Sequence, residues 1–311
     1  MKRTIYGILI FSVMFCLSAP VIGQGNGISN GKTVESVYPG LASGALTFAN
    51  LGELTAPVIL RSGDLEVTSQ KLNEEIVKAP QEMRGQLRKN QFFLLEQLVA
   101  KDLLLHAAKQ KAASTQEDNS EKAETEIIQN YFKALVDQTK VTDQEVTSFY
   151  SENKDMFGGA TLDQVKEQLK YYVLQQKQQE VLNEHIRSLG KRVPIVISAS
   201  WIREQATLAR NNPVDRARMS GNPSLVDFGA SGCRPCDMMT PILADLKKKY
   251  EGKLNVLFVH VQEEQILAAR YGIQSIPVQV FFDRNGKEVY RHTGFFPQIE
   301  IEKKIAEMGA K

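Results

Sequence analysis

Leu225-Val226-Asp227-Phe228-Gly229-Ala230-Ser231-Gly232-Cys233-Arg234-Pro235-Cys236 is a strand, a turn and the start of a helix, with two cysteines at the join. The first four residues are strand-like, and a helix-like run at 238–250 follows the second cysteine. A thiol at the start of a helix faces unpaired N–H groups and the positive end of the helix dipole. Both favour the thiolate, which is the nucleophilic form of cysteine. Cys236 stands one turn on from Cys233, within reach of a mixed disulfide formed there. This spacing suits thiol–disulfide exchange.

Working outward, strands are expected at 225–228, 256–261, 278–282 and 288–292, and helices at 235–250, 265–271 and 298–308. Asn285-Gly286 signals a hairpin between the last two strands. Asn212-Pro213 pairs a capping residue with proline at the first helical position, so a short helix is expected to start there.

The 311 residues leave room for about two domains. Lys2 and Arg3 precede an apolar run at 5–17, and Val21 and Gly23 suit a cleavage site before Gln24. Residues 1–23 are therefore expected to be a signal peptide, which predicts a periplasmic or otherwise exported protein. The competing expectation is an uncleaved anchor in the inner membrane, because residues 4–23 carry no charge and are nearly long enough to span a bilayer. Bulky Phe15 argues against lipidation at Cys16. Loss of Lys2 and Arg3 from the 38 basic residues leaves 36, against 36 acidic ones. That balance gives no charge argument for binding nucleic acid or anionic membrane. Only Cys233 and Cys236 remain after cleavage, as one structural bridge or one redox couple. A bridge this short closes too small a loop to gain much entropy. Two cysteines supply only two of four zinc ligands, and His260 and His292 lie on strands elsewhere, so no metal is expected. His106 and His185 lie on helices and are assigned no chemistry.

Residues 212–311 resemble the thioredoxin family. The resemblance rests on the strand at 225–228, Cys233-Arg234-Pro235-Cys236, Met239-x-Pro241-Ile242-Leu243, Tyr271-Gly272-Ile273-x-x-Ile276-Pro277, Gly286 and Gly294. It implies an α/β thioredoxin fold with Cys233 as the exposed attacking cysteine and Cys236 as the buried resolving one. Ile276-Pro277 corresponds to the cis-proline loop, where an extended client backbone lies. Ile276, Pro277 and Arg234 are the expected client-binding residues. Asp227 corresponds to a buried carboxylate whose raised pKa lets it take the proton from Cys236. Pro241 corresponds to the proline that kinks the active-site helix. The chain also departs from the family pattern. Gly229 and Gly232 stand where tryptophan is common, which predicts a less shielded site. Phe258 replaces a lysine, which leaves Asp227 more desolvated. Arg234 favours thiolate and so an oxidising couple, whereas Pro235 matches reducing members.

The N-terminal half is helical in pattern, with long runs at 92–109, 124–139 and 162–189 between a strand pair at 57–67 and a strand at 195–197. Residues 113–122 read as a polar loop. Thr68 or Ser69 can cap the first helix, and Thr142-Asp143-Gln144-Glu145 has the form of a capping box. Residues 57–198 resemble the helical part of SurA-type periplasmic chaperones and their parvulin relatives. The residues that carry this are the strand pair and Thr68, 93–98 with 103–105, Val141-Thr142-Asp143-x-Glu145-Val146-x-x-Phe149-Tyr150, and Asn153-Lys154-x-x-Phe157. In that family the first and last strands pair. The isomerase domain has no counterpart, so prolyl isomerisation is not implied.

The expected organisation is an α+β two-domain chain. A flexible lead-in at 24–56, an all-α chaperone-like domain at 57–198 and a linker at 199–221 precede a thioredoxin domain at 222–311. The expected function is an exported protein-disulfide oxidoreductase, with reduction favoured, acting on unfolded or disulfide-bearing client proteins. No nucleotide-binding motif is present and no cofactor is expected, so a membrane electron-transfer partner is implied. The alternative is a chaperone or assembly factor in which the thioredoxin domain is a binding module.

Overall fold

The computed structural model describes residues 31–112, 121–157 and 159–309. The expected signal peptide and most of the expected loop at 113–122 lie outside them. The described N-terminal elements are α1 (Val34–Val37), β1 (Asn50–Gly52), β2 (Val58–Ser62), β3 (Leu65–Thr68), α2 (Ser69–Lys78), α3 (Gln81–Lys89), α4 (Gln91–Ala112) and α5 (Glu121–Val136). They are followed by α6 (Asp143–Glu152), a 3-10 turn (Lys154–Phe157), α7 (Leu162–Arg192), β4 (Val196–Ser198) and α8 (Ala199–Ala209). The chain divides into two compact units. One comprises residues up to Gln138 with Gln178–Gln205, and the other comprises Thr139–Lys177 with residues from Ala206 onward. This division cuts across the boundaries expected from sequence.

In the first unit, β2 and β3 form a hairpin turned at Gly63, where φ is +55°. β4 pairs antiparallel with β2 and parallel with β1, giving the order β1-β4-β2-β3. The helices expected between the first and last strands run from residue 69 to residue 192, while this sheet makes the unit mixed rather than all-α. Local chemistry sets the helix starts. Thr68 accepts from the Lys71 N–H at 3.2 Å. On α4, Phe92, Leu95 and Val99 repeat at helical spacing and are fully buried.

Within the stretch expected as a flexible lead-in, residues 31–56 include core positions. Val34, Ala45, Leu46 and Ala49 are buried. Two features hold this stretch. The buried Glu96 carboxylate of α4 accepts from the N–H groups of Ser43 (3.1 Å), Gly44 (2.9 Å) and Leu46 (3.2 Å), and from the Ser43 hydroxyl (3.3 Å). Gly190 of α7 packs directly on the Ala45 backbone, with no room for a Cβ.

The second unit holds α9 (Pro213–Arg218), β5 (Ser224–Gly229), α10 (Arg234–Lys249), β6 (Asn255–His260), α11 (Gln265–Arg270), β7 (Val278–Phe282), β8 (Glu288–Thr293) and α12 (Gln298–Glu307). β5 runs parallel to β6 and antiparallel to β7, and β8 completes the order β6-β5-β7-β8. Strand alternation separates two cores. Val226, Phe228, Val278, Val280 and Phe282 pack with Val214 of α9 and with Leu267 and Ala268 of α11. Leu225, Val256 and Phe281 pack with Met239, Leu243 and Leu246 of α10 and with Ile301 and Ile305 of α12.

The expected linker at 199–221 is helical and partly core. Asn212 caps α9, and Pro213 opens it. Buried Asp215 of α9 accepts from Arg270 at 3.1 Å, Tyr271 at 2.9 Å and Asn212 at 2.6 Å, which ties α9 to the end of α11. Five apolar residues in the sequence 199–221 lie on inward faces that only the folded packing reveals: Ile202, Ala206, Ala209, Val214 and Ala217. Residues 139–177 also belong to this unit. The expected capping box opens α6, with Glu145 N–H donating to the Thr142 hydroxyl at 3.2 Å and Thr142 N–H donating to Glu145 at 2.8 Å.

Replacing Glu96 by alanine leaves three backbone N–H groups without their acceptor, each costing about 1–3 kcal/mol. Urea unfolding of Glu96→Ala is expected to show a loss of about 3 kcal/mol or more, and Gly190→Ala about 2 kcal/mol from overpacking. Unchanged midpoints for both variants would show that the 41–49 segment is not held this way.

Candidate functional site: a disulfide backed by a buried carboxyl

All six residues of β5 are buried. Alternation puts Leu225, Asp227 and Gly229 on the α10 face, because Leu225 packs with Met239 and Leu243. The chain then turns through Gly232, at φ +76°, and enters α10 with Cys233 as its N-cap. Cys233 and Cys236 are disulfide-bonded, with their Cα atoms 5.2 Å apart. The Cys236 N–H points at Cys233 Sγ at 3.4 Å. This is the donor that would stabilise a Cys233 thiolate once the disulfide is reduced. Cys236 is 2% exposed, Cys233 is half-buried, and Arg234, the first residue of α10, is exposed.

The Ile276–Pro277 peptide is cis, and the Ile276 carbonyl oxygen lies 3.9 Å from Cys233 Sγ. The Pro277 carbonyl accepts from Gly294 N–H at 2.7 Å, which fixes the loop to the end of β8. Just before it, the Ser275 hydroxyl lies 3.3 Å from the Tyr172 hydroxyl of α7. Tyr172 is in turn held by Gln176 at 2.6 Å and by the Phe149 ring at 5.2 Å. The helices at 139–177 therefore reach the loop that carries Ile276 and Pro277.

Cross-strand register builds one row on the α10 face. Phe258 of β6 lies opposite Asp227, Asp227 opposite Gln279 of β7, and Gln279 opposite His292 of β8. Asp227 and Gln279 have no exposed surface, and Gln279 Nε2 donates to Asp227 Oδ1 at 2.6 Å. Burial pushes the Asp227 carboxyl up to about 7, against the pull of the Gln279 hydrogen bond. His292 stacks on Phe296 with ring centres 4.1 Å apart, and burial holds its pKa below the ordinary value.

The glycine at 229 does not leave the site open in the way expected from its sequence. A Cβ there would lie 2.8 Å from the Phe258 ring and 3.3 Å from Cys236 Cβ. The Phe258 ring itself occupies the place of the missing side chain and remains half exposed. On the far side of the turn, His260 Nε2 accepts from the Ser231 N–H at 3.2 Å, two residues before Cys233. An accepting Nε2 places the ring proton on Nδ1, which faces Glu263 at 3.9 Å.

The structure thus gathers Cys233, Cys236, Asp227, Ile276 and Pro277 into one place. It adds Gln279, His260 and Tyr172, which sequence reasoning missed. A polar residue inside the otherwise apolar run Val278-Gln279-Val280-Phe281-Phe282 was the available signal for Gln279. Among the described residues, no group of three or more His, Cys, Asp or Glu side chains is placed to hold a metal ion, and no helix is long and apolar enough to cross a membrane.

A sequence model of the family described as Thioredoxin matches residues 208–307. Chloroplastic thioredoxin M-type from Pisum sativum is 32% identical over 121 residues, covering 39% of this chain and 63% of that protein. A thioredoxin from Staphylococcus aureus is 38% identical over 85 residues, covering 27% of this chain and 81% of its own length. The crystal structure of a thioredoxin from Nicotiana alata is 29% identical, with a TM-score of 0.28, covering 30% of this chain and 80% of that one. The chain thus spans less than two thirds of the pea protein and most of the bacterial one, and over residues 208–307 it belongs to the thioredoxin family.

Proposed function

We propose that the chain is an exported thiol–disulfide oxidoreductase that exchanges electrons with client proteins through Cys233 and Cys236. The observation that carries this reading is a helix-capping Cys233, 3.9 Å from the Ile276 carbonyl, disulfide-bonded to a buried Cys236 that packs on Gly229, two residues along β5 from the buried Asp227. The comparisons support thiol–disulfide chemistry for the C-terminal domain. The basic start and apolar run at 1–23 support export. The resemblance of residues 57–198 to SurA-type chaperones supports a client-holding role for the helical part.

In the reducing direction the Cys233 thiolate attacks a client disulfide. One client sulfur leaves as a thiolate, and the other stays bonded to Cys233. Cys236 then gives its proton to the Asp227 carboxylate and attacks Cys233 Sγ. The Cys233–Cys236 bond forms as the Cys233–client bond breaks, and the second client sulfur leaves with the electron pair. Two electrons pass from the dithiol to the client, and the leaving thiolates take up protons from solvent. A membrane-held dithiol returns the pair to its reduced state. Pro235 favours this direction. The exposed Arg234 stabilises the Cys233 thiolate, and Ile276 and Pro277 meet the client backbone.

Cys233→Ser is expected to abolish disulfide reduction in an insulin-turbidity assay, and Cys236→Ser to trap client proteins as mixed disulfides visible on non-reducing gels. A Cys233→Ser protein with undiminished exchange activity sinks the oxidoreductase reading and leaves a chaperone role for the chain.

Asp227 gives a pH signature. Its carboxyl is raised from an ordinary 3.8 to about 7 in the folded protein. The folded state therefore binds the proton more tightly than the unfolded chain. The stability this contributes is complete below about pH 4 and is lost as pH rises through 7. Between pH 5 and 9 the oxidised protein should lose about 3 kcal/mol from this group, a slope that Asp227→Asn removes. The same substitution should slow resolution by Cys236 about a hundredfold at neutral pH. Parallel urea-unfolding curves for the two proteins across that range would contradict the assignment.

A further inference from the structure

We propose that Gln279 is the positioning residue for Asp227, a reversible amide that keeps the buried carboxyl hydrogen-bonded whether or not it holds a proton. The inference rests on the oxidoreductase reading above and assigns a part of that site which the comparisons leave unassigned.

Gln279 and Asp227 face each other in the β5–β7 register and are both fully buried. The short contact from Gln279 Nε2 to Asp227 Oδ1, 2.6 Å, supplies a donor to the ionised carboxylate. Two acceptors beside it, Asp227 Oδ2 and Gln279 Oε1, have no hydrogen-bond partner among the described residues. Buried acceptors are rarely left unpaired. Here the two vacancies belong to a matched pair. A proton arriving on Oδ2 turns the carboxyl into a donor, and a half-turn of the carboxyl about Cβ–Cγ, with rotation of the Gln279 amide about its last side-chain bond, sets that O–H against Oε1. Nε2 serves the carboxylate and Oε1 serves the acid. A leucine at 279 would serve neither state, and a lysine only the ionised one.

The geometry also says where the proton comes from. Nε2 holds Oδ1, so Oδ2 is the open acceptor. Asp227 shares its face of β5 with Gly229, whose absent Cβ would lie 3.3 Å from Cys236 Cβ. Cys236 is the protonated group on that side during resolution. Its thiol proton passes to the carboxylate, and its sulfur attacks Cys233 Sγ, displacing the client thiolate. The other side chains of the row are Phe258 from β6 and His292 from β8. Burial lowers the His292 pKa below its ordinary value, against the opposing pull of the Phe295 carbonyl 3.1 Å from its Nε2. Asp227 is thus the titrating member of the pair and Gln279 its hydrogen-bond partner, with Cys236 as the exchange partner.

The test is a carboxyl-carbon NMR titration of Asp227 in the full oxidised chain, in which neither cysteine titrates. It is run on the parent, on Gln279→Leu and on Gln279→Met, the last keeping the length of the side chain without its amide. The bond to the carboxylate is stronger than the bond to the acid, so losing both should raise the Asp227 midpoint by about one pH unit. With reduced protein and dithiobis-nitrobenzoate, release of the second nitrothiophenolate should slow about tenfold at pH 7 and recover toward the parent rate at higher pH, with the first release unchanged. An unmoved or lowered midpoint in a folded variant overturns the proposal, as does a slowing of the second release that is equal at every pH. Absence of any second release in the parent protein would overturn the oxidoreductase reading instead, and the titration would still decide the role of Gln279.

Discussion

The complete burial of β5 is the constraint on which the redox site depends. A strand covered on both faces has no water to offer its side chains. Every polar group it carries must find a partner within the protein or have its charge suppressed. Asp227 is the one ionisable residue on this strand. Its environment leaves it a carboxyl that titrates near neutrality, and that is the range in which a general base for a thiol is useful. Gln279 and Phe258 follow from the same constraint. The amide partly compensates the lost hydration. The aromatic ring occupies the place that Gly229 leaves empty, so the absence of a side chain there does not admit solvent to Cys236.

The first unit solves a different problem with the same physics. Its sheet is small, and β1 and β4 are three residues each. Short strands carry few hydrogen bonds, so the preceding segment has to be fastened by other means. The Glu96 carboxylate does this by gathering the N–H groups of Ser43, Gly44 and Leu46, and Gly190 lets α7 approach the Ala45 backbone closely. Neither residue belongs to the segment it holds.

That difference explains which features were legible in the sequence. Features written in neighbouring residues could be read. Thr68, the Thr142–Glu145 box, Asn212-Pro213, Asn285-Gly286 and the Cys233–Cys236 spacing each carry their partner within a few positions. The periodic apolar faces of the long helices were equally readable. The order at 31–56 was not, because its anchor lies some fifty residues away on α4. Within the expected linker the start of α9 was read but α8 was not, and the inward turn of Asp215 was hidden because its partner, Arg270 of α11, lies some fifty residues on. Gln279, His260 and Tyr172 join the site only through strand register or through a helix far away in the chain.

The Asp227–Gln279 pair also has an energetic meaning. The α10 face of the sheet is otherwise built from Leu225, Val256, Phe281 and their partners, a well-packed apolar layer. Placing a carboxyl and an amide in that layer costs stability, because a carboxylate raised to about 7 weakens the fold whenever it ionises. Two apolar residues of similar volume would pack there without that cost. The polar pair interrupts the layer next to Gly229 and Cys236, where a thiol has to lose its proton away from water. Packing alone does not account for a buried group of this kind in this position. The proposed proton exchange with Cys236 does.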